Sequence, residues 1–197
     1  MQASSLVNLS GTHFLIVDDN DNSLKILSEL VKSFGVANIT TAADGAEAKA
    51  HLSRQPFDLL LTDAHMPVCS GYDLVRWLRN RPRDEDRIIP AIIVSAHTRE
   101  HEVVEGRDCG AHYILAKPAS PLILLERICW IAEQQRPFID AGSYVGPDRR
   151  WKKHAPPPEF SDGRRTTDLS WDLGVAVSAN LSAHELSDLI QPQRAAP

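Results

Sequence analysis

The sequence predicts an α/β fold: a doubly wound five-stranded parallel sheet flanked by five helices, followed by an extended C-terminal arm. Short apolar runs rich in β-branched residues recur between residues 12 and 135, and such runs read as strands buried on both faces. Amphipathic stretches lie between them, so strand and helix alternate without a break, as in a parallel sheet covered by helices. Past Gln135 the alternation stops.

The first strand is "FLIVDDN", Phe14 to Asn20, an apolar segment that runs straight into two adjacent carboxylates, Asp18 and Asp19. From Asn22 onward Leu24, Leu27, Leu30, Val31 and Phe34 recur at three and four, with Asp21 or Asn22 as the capping residue and Gly35 as the stop, which predicts a helix of three to four turns. "ANITTAA" follows as a short strand and "GAEAKAHLSRQ" as a helix. "FDLLLTD" is a second buried strand, ending on Asp63. "GYDLVRWLRN" is helical, "IPAIIVSA" a strand, "TREHEVVEGRDCG" a polar helix closed by glycine, "HYILA" a strand and "PLILLERICWIAEQQ" a helix.

At 197 residues, 43% apolar and 24% charged, the chain has material for one well-buried domain and an appendage. No apolar run approaches the ~18 residues of a membrane span. The start, "MQASSLVNLSGTH", lacks the basic, apolar and small-residue succession of a secretory signal, so the expected location is the cytoplasm. Cys69, Cys109 and Cys129 are odd in number and far apart, which fits reduced packing cysteines rather than a disulfide framework or metal knuckle. Residues 136–197 hold eight basic and eight acidic side chains, so the front of the chain carries the whole net charge of −5. An acidic domain lacks the basic face that DNA binding requires.

Three segments follow: a lead over 1–11, a domain over 12–135 and an arm over 136–197. Pro137, Gly142, Gly146, Pro147 and Pro156 to Pro158 break the arm too often for a long helix or central strand. Near its end "LSAHEL" forms a capping box, Ser182 with Glu185, stapled by Leu181 and Leu186, and predicts a short helix near 183–190. Leu186, Leu189 and Ile190 give it one apolar face, and a helix that short needs something to dock against. The expectation is a two-fold homodimer with arm exchange. The helix "PLILLERICWIAEQQ" would lie at the contact, with Tyr144, Trp151 and Trp171 as anchors on the other protomer.

In a doubly wound sheet the carboxyl ends of the strands form the ligand crevice. Here they deliver Asp18 and Asp19, then Asp63, Ser95 and Lys117. Three carboxylates on one rim make a hard-oxygen site suited to Mg²⁺. With a hydroxyl and an ammonium added, the set can hold a metal, an acceptor carboxylate, a donor and a cation around one phosphoryl group.

These motifs resemble the receiver domains of bacterial two-component response regulators, of the chemotaxis type, over residues 12–135. "VDDN" is similar to the family's acidic pair, "TDAHMPVCSG" to its phosphoacceptor loop, "VSA" to its hydroxyl-bearing strand end, and "GAHYILAKP" to its last strand with Lys-Pro. The resemblance implies a sheet in the flavodoxin-like order 2-1-3-4-5 and a phosphoryl group carried on Asp63. Asp18, Asp19 and Asp63 would bind Mg²⁺ together with the backbone carbonyl of His65. Ser95 and Lys117 would contact the phosphoryl oxygens, and the bond before Pro118 would be cis, as proline permits.

The switch position, where the family usually carries Tyr or Phe, is Ile114 here. Tyr113 is one residue earlier and on the opposite face of the strand. His65 and His97 stand two residues beyond Asp63 and Ser95, at places that in the family flank the path of attacking water and tune how long the phosphoryl group survives.

Other readings fit less well. A haloacid-dehalogenase phosphatase resembles this strand-end aspartate but has a second aspartate where His65 stands, and a flavodoxin's phosphate would be repelled by "DDNDNS". "DLSWDLG" resembles one element of PilZ cyclic-di-GMP receptors, whose arginine motif is missing here. The resemblance therefore implies a stand-alone response regulator, phosphorylated by a sensor histidine kinase or phosphotransfer protein, that signals by protein contact and turns over no separate substrate. A phosphate sink, or an arm that binds a ligand or nucleic acid, is the alternative.

Overall fold

The computed structural model describes residues 8–97, 99–133 and 137–149. Five parallel strands, β1 (His13–Val17), β2 (Asn38–Ala42), β3 (Leu59–Asp63), β4 (Ala91–Ser95) and β5 (Tyr113–Ala116), stand in the order β2-β1-β3-β4-β5. The helices between and after them are α1 (Asp21–Ser33), α2 (Gly45–Arg54), α3 (Gly71–Arg79), α4 (Asp84–Arg87), α5 (Glu100–Asp108) and α6 (Pro121–Glu133). The predicted class and alternation hold, with one helix more than expected. That extra helix is the single turn α4, set in the charged loop "RPRDEDR" where no apolar period could announce it.

Alternation along each strand separates two apolar layers, because successive side chains point to opposite faces. Leu15, Val17, Leu60, Ile93 and Ile114 face a layer completed by Leu52 of α2, Leu74 and Leu78 of α3 and Val103 of α5. Phe14, Ile16, Leu61, Val94 and Tyr113 face the other, completed by Leu27 and Val31 of α1 and Leu124 and Ile128 of α6. Every residue of β3 and β4 is buried, as expected of central strands.

Helix α1 begins one residue earlier than its apolar period suggests. Its cap is Asn20, whose Oδ1 accepts from the backbone amides of Asn22 and Ser23 at 2.9 and 3.2 Å. An amide side chain there satisfies two of the helix's orphan donors, and leaves Asp21 inside the first turn.

The first described part of the arm folds back on the domain. Strands β6 (Phe138–Asp140) and β7 (Val145–Pro147) pair antiparallel as a hairpin, turned with the help of Gly142 at φ +73°. The buried Arg79 guanidinium, at the end of α3, lies 5.3 Å from the Phe138 ring centre. Arg87 reaches Asp140 at 2.5 Å, and Arg149 reaches Asp108 at 2.7 Å while stacking 3.7 Å from the Tyr144 ring centre. Tyr144 thus packs within its own chain. Trp151, Trp171 and the segment near 183–190 lie outside the described residues.

Candidate functional site

Strand register gathers the site. Val17 pairs with Thr62, Asp63 with Val94, and Ser95 with Ala116, so Asp18, Asp63, Ser95 and Lys117 emerge together at one end of the sheet. Asp18 is 1% exposed and Asp63 6%; two carboxylates this close to a core require a compensating cation. Lys117 supplies it. Its Nζ lies 2.7 Å from Asp18 Oδ2 and also contacts Asp63 Oδ1. Burial pulls the lysine pKa down, but the Asp18 and Asp63 carboxylates outweigh that pull and hold it above its ordinary value. Lys117 is joined to Pro118 by a cis peptide bond, as the sequence resemblance implies.

The remaining oxygens are held by backbone. Asn20 N donates to Asp18 Oδ1 at 2.9 Å, and His65 N donates to Asp63 Oδ2 at 2.6 Å. The loop after β3 then turns tightly enough for Gly71 N to donate to Ala64 O at 3.0 Å. Asp19 is exposed beside this group. Ser95 is fully buried, and its hydroxyl is turned toward the loop: it donates to His97 O at 2.5 Å and accepts from His97 N at 3.1 Å.

Ile114 is buried and packs against Gly106 of α5. Tyr113 faces the opposite layer, edge-on to Trp130 with ring centres 5.3 Å apart. Tyr72 is buried, its ring next to Ile114 at Gly106. Burial, reinforced by the Glu102 and Glu105 carboxylates, raises its pKa well above the ordinary phenol value.

His65 and His97 come together at the rim, their rings edge-to-face with centres 5.7 Å apart. Sequence reasoning missed their third neighbour. Glu102, on the first turn of α5, is buried, with Oε1 3.0 Å from His65 Nε2 and Oε2 accepting from Arg99 N at 3.2 Å. The available signal was its place at the third helical position, from which a glutamate reaches back to the preceding backbone.

A family model described as the response regulator receiver domain matches residues 14–129. The chain belongs to the receiver-domain family. Among proteins similar to this receiver, the chemotaxis protein CheY of Pseudomonas aeruginosa is 32% identical over 120 residues, which span 61% of this chain and 95% of the relative. The response regulator SaeR of Staphylococcus aureus is 35% identical over 117 residues, 59% of this chain but 49% of the relative. Of solved structures, CheY4 of Vibrio cholerae matches with a TM-score of 0.55 at 30% identity, covering 59% of this chain and 95% of that one. The receiver domain of the sensor histidine kinase PA1611 of Pseudomonas aeruginosa, with a magnesium ion in its active-site cleft, matches with a TM-score of 0.54 at 29% identity, covering 61% and 95%. Within the described residues of this receiver, no helix is long and apolar enough to cross a membrane.

Proposed function

We propose that this receiver takes a phosphoryl group onto Asp63 from a phosphohistidine of a sensor kinase or phosphotransfer protein, and works in the cytoplasm through protein contact rather than DNA binding. One observation carries the reading: a single ammonium, Lys117, joins the buried carboxylates Asp18 and Asp63 at the carboxyl end of the sheet. The donors fit Mg²⁺, since Asp18, Asp19, Asp63 and the His65 carbonyl are all hard oxygens. When bound, the ion would neutralise charge on the transferring group.

The chain's own residues do the rest. An Asp63 carboxylate oxygen attacks phosphorus as the phosphorus–nitrogen bond of the donor histidine breaks, leaving an acyl phosphate on Asp63 and the bonding electron pair on the imidazole. Lys117 offers its charge to the phosphoryl oxygens, and Ser95 exchanges its bond to the His97 carbonyl for one of them. His65 and His97 stand where water would approach. A receiver of this kind is an acceptor that promotes its own phosphorylation and dephosphorylation, without separate substrate turnover. The acidic net charge of the front of the chain argues for protein partners over nucleic acid. The homodimer with arm exchange remains our reading of the capping box near Ser182.

Incubation with acetyl phosphate, with and without Mg²⁺, tests the site. Wild type should gain one metal-dependent acyl phosphate and Asp63→Ala none. A metal-dependent acyl phosphate on any other residue overturns the assignment.

A further inference from the structure

Three side chains converge beside the acceptor without belonging to the acidic group. His65 leaves the loop after β3, His97 the loop after β4, and Glu102 the first turn of α5, and one ligand atom from each lies within 4.8 Å of the others. The arrangement has the chemistry of a transition-metal site. Tetrahedral Zn²⁺, with bonds of about 2.0–2.2 Å to nitrogen and oxygen, wants its ligand atoms about 3.3 Å apart. His65 Nε2 and Glu102 Oε1 are already at 3.0 Å. His97, on an exposed loop, has to close by up to about 1.5 Å.

The buried member is the anchored one. Glu102 has its second oxygen bound to Arg99 N, which keeps its first directed at the histidines. The His65 side chain is half exposed and His97 is exposed, so a fourth position stays open to solvent. Two imidazoles and one carboxylate favour Zn²⁺, Ni²⁺ or Cu²⁺ over Mg²⁺, which selects all-oxygen ligands. This set therefore differs in kind from the Asp18, Asp19 and Asp63 group.

We infer that His65, His97 and Glu102 form a second metal site, for a Zn²⁺-class ion, that clasps the loops after β3 and β4 to helix α5 at the edge of the acceptor. An occupied clasp holds both imidazoles in place across the approach to Asp63. It should slow hydrolysis of the acyl phosphate several-fold, a consequence that rests on the function proposed above. The binding itself does not.

Titration of the full chain with Zn²⁺, or with Co²⁺ followed by its visible spectrum, is done in about 10 mM Mg²⁺ to occupy the oxygen site. Wild type should bind one equivalent with a rise in melting temperature. His97→Ala and Glu102→Gln should each weaken binding at least tenfold, while His101→Ala, on the same helix, should not. His97 is exposed, so that variant carries the test if Glu102→Gln fails to fold. Equal affinity in wild type and His97→Ala, or no binding by wild type, overturns the site. Tight binding lost in His97→Ala without any change in acyl-phosphate lifetime keeps the site and overturns its effect on hydrolysis. Zn²⁺ binding without phosphorylation of Asp63 would refute the proposed function alone.

Discussion

Gly71 lies so close to Asp63 that a Cβ on it would overlap the Asp63 carbonyl oxygen and crowd the Thr62 methyl at 3.2 Å. The loop after Asp63 is folded back on the start of α3, and only a residue without a side chain lets the two backbones meet. Gly71→Ala should therefore destabilise by about 1–3 kcal/mol, measured by urea unfolding, and lower the rate of Asp63 phosphorylation. Gly11→Ala, where nothing lies within 4 Å, is the control and should change little. Unaltered stability in Gly71→Ala would mean that the loop yields.

Ile114 and Gly106 form a second close pair. A Cβ at Gly106 would run into Ile114 Cδ1 and lie 2.7 Å from its Cγ1. Gly106→Ala should be destabilising in wild type and nearly harmless with Ile114→Ala, since the new methyl then enters the space the larger side chain vacates. The double-mutant cycle should give a coupling of about 1 kcal/mol or more. Additive effects would place the strain elsewhere.

Lys117 gives the site a signed pH dependence. Its folded pKa is raised above the ordinary 10.5. The stability it contributes is thus fully present below that value and lost as pH rises through the higher folded one. Lys117→Met removes the contribution and leaves Asp18 facing Asp63. The stability gap between wild type and Lys117→Met should be constant up to about pH 9 and shrink above about pH 11. Using the difference cancels other lysines and tyrosines, and a gap independent of pH would refute the assignment.

Arg79 secures the opposite end of the sheet. It donates to Gly110 O at 2.9 Å, Arg87 O at 2.5 Å and Ile89 O at 2.8 Å, and burial lowers its pKa to about 10, so it stays charged at neutral pH. Replacing it by methionine strands three carbonyls while relieving a buried charge. The net loss should be roughly 3 kcal/mol, given about 1.5–3 for each bond to a charged group. Hydrogen exchange should also speed up in the amides of the 138–147 hairpin. A loss below about 1 kcal/mol would show that water replaces the guanidinium.

The fold was legible because its strands are short apolar runs with no competing period, and because β1, β3, β4 and β5 end on or run directly into a polar residue. That rule brought Asp18, Asp63 and Lys117 together from positions up to 99 residues apart. It did not find Glu102, which belongs to a helix of mostly polar residues. The burial of that carboxylate depends on the loops laid over it, and not on any pattern of its own. Arg79 was hidden for a similar reason: within "VRWLRN" it has the look of a solvated helix end, and only the hairpin and the loops before β4 and β5 turn it into a buried hub. Hairpin β6–β7 was missed because two three-residue strands among prolines and glycines leave no alternation to read. The placement of Ile114 and Tyr113 on opposite faces follows from strand geometry alone.

The hairpin sits against Gly110 and Arg87, and Arg149 just past it reaches Asp108, at the ends of α4 and α5 where β4 and β5 begin. Asp63 lies at the end where those strands finish. A five-residue strand spans about 17 Å, so the hairpin stands roughly that far from Asp63 across the domain. The two therefore occupy opposite poles of the sheet. Information passing between them has to run the length of the strands, past the close packing of Ile114 and Tyr72 at Gly106. A receiver wired this way behaves as a through-bolt rather than a hinge: a load applied at Asp63 is felt at the hairpin only if the packed middle transmits it.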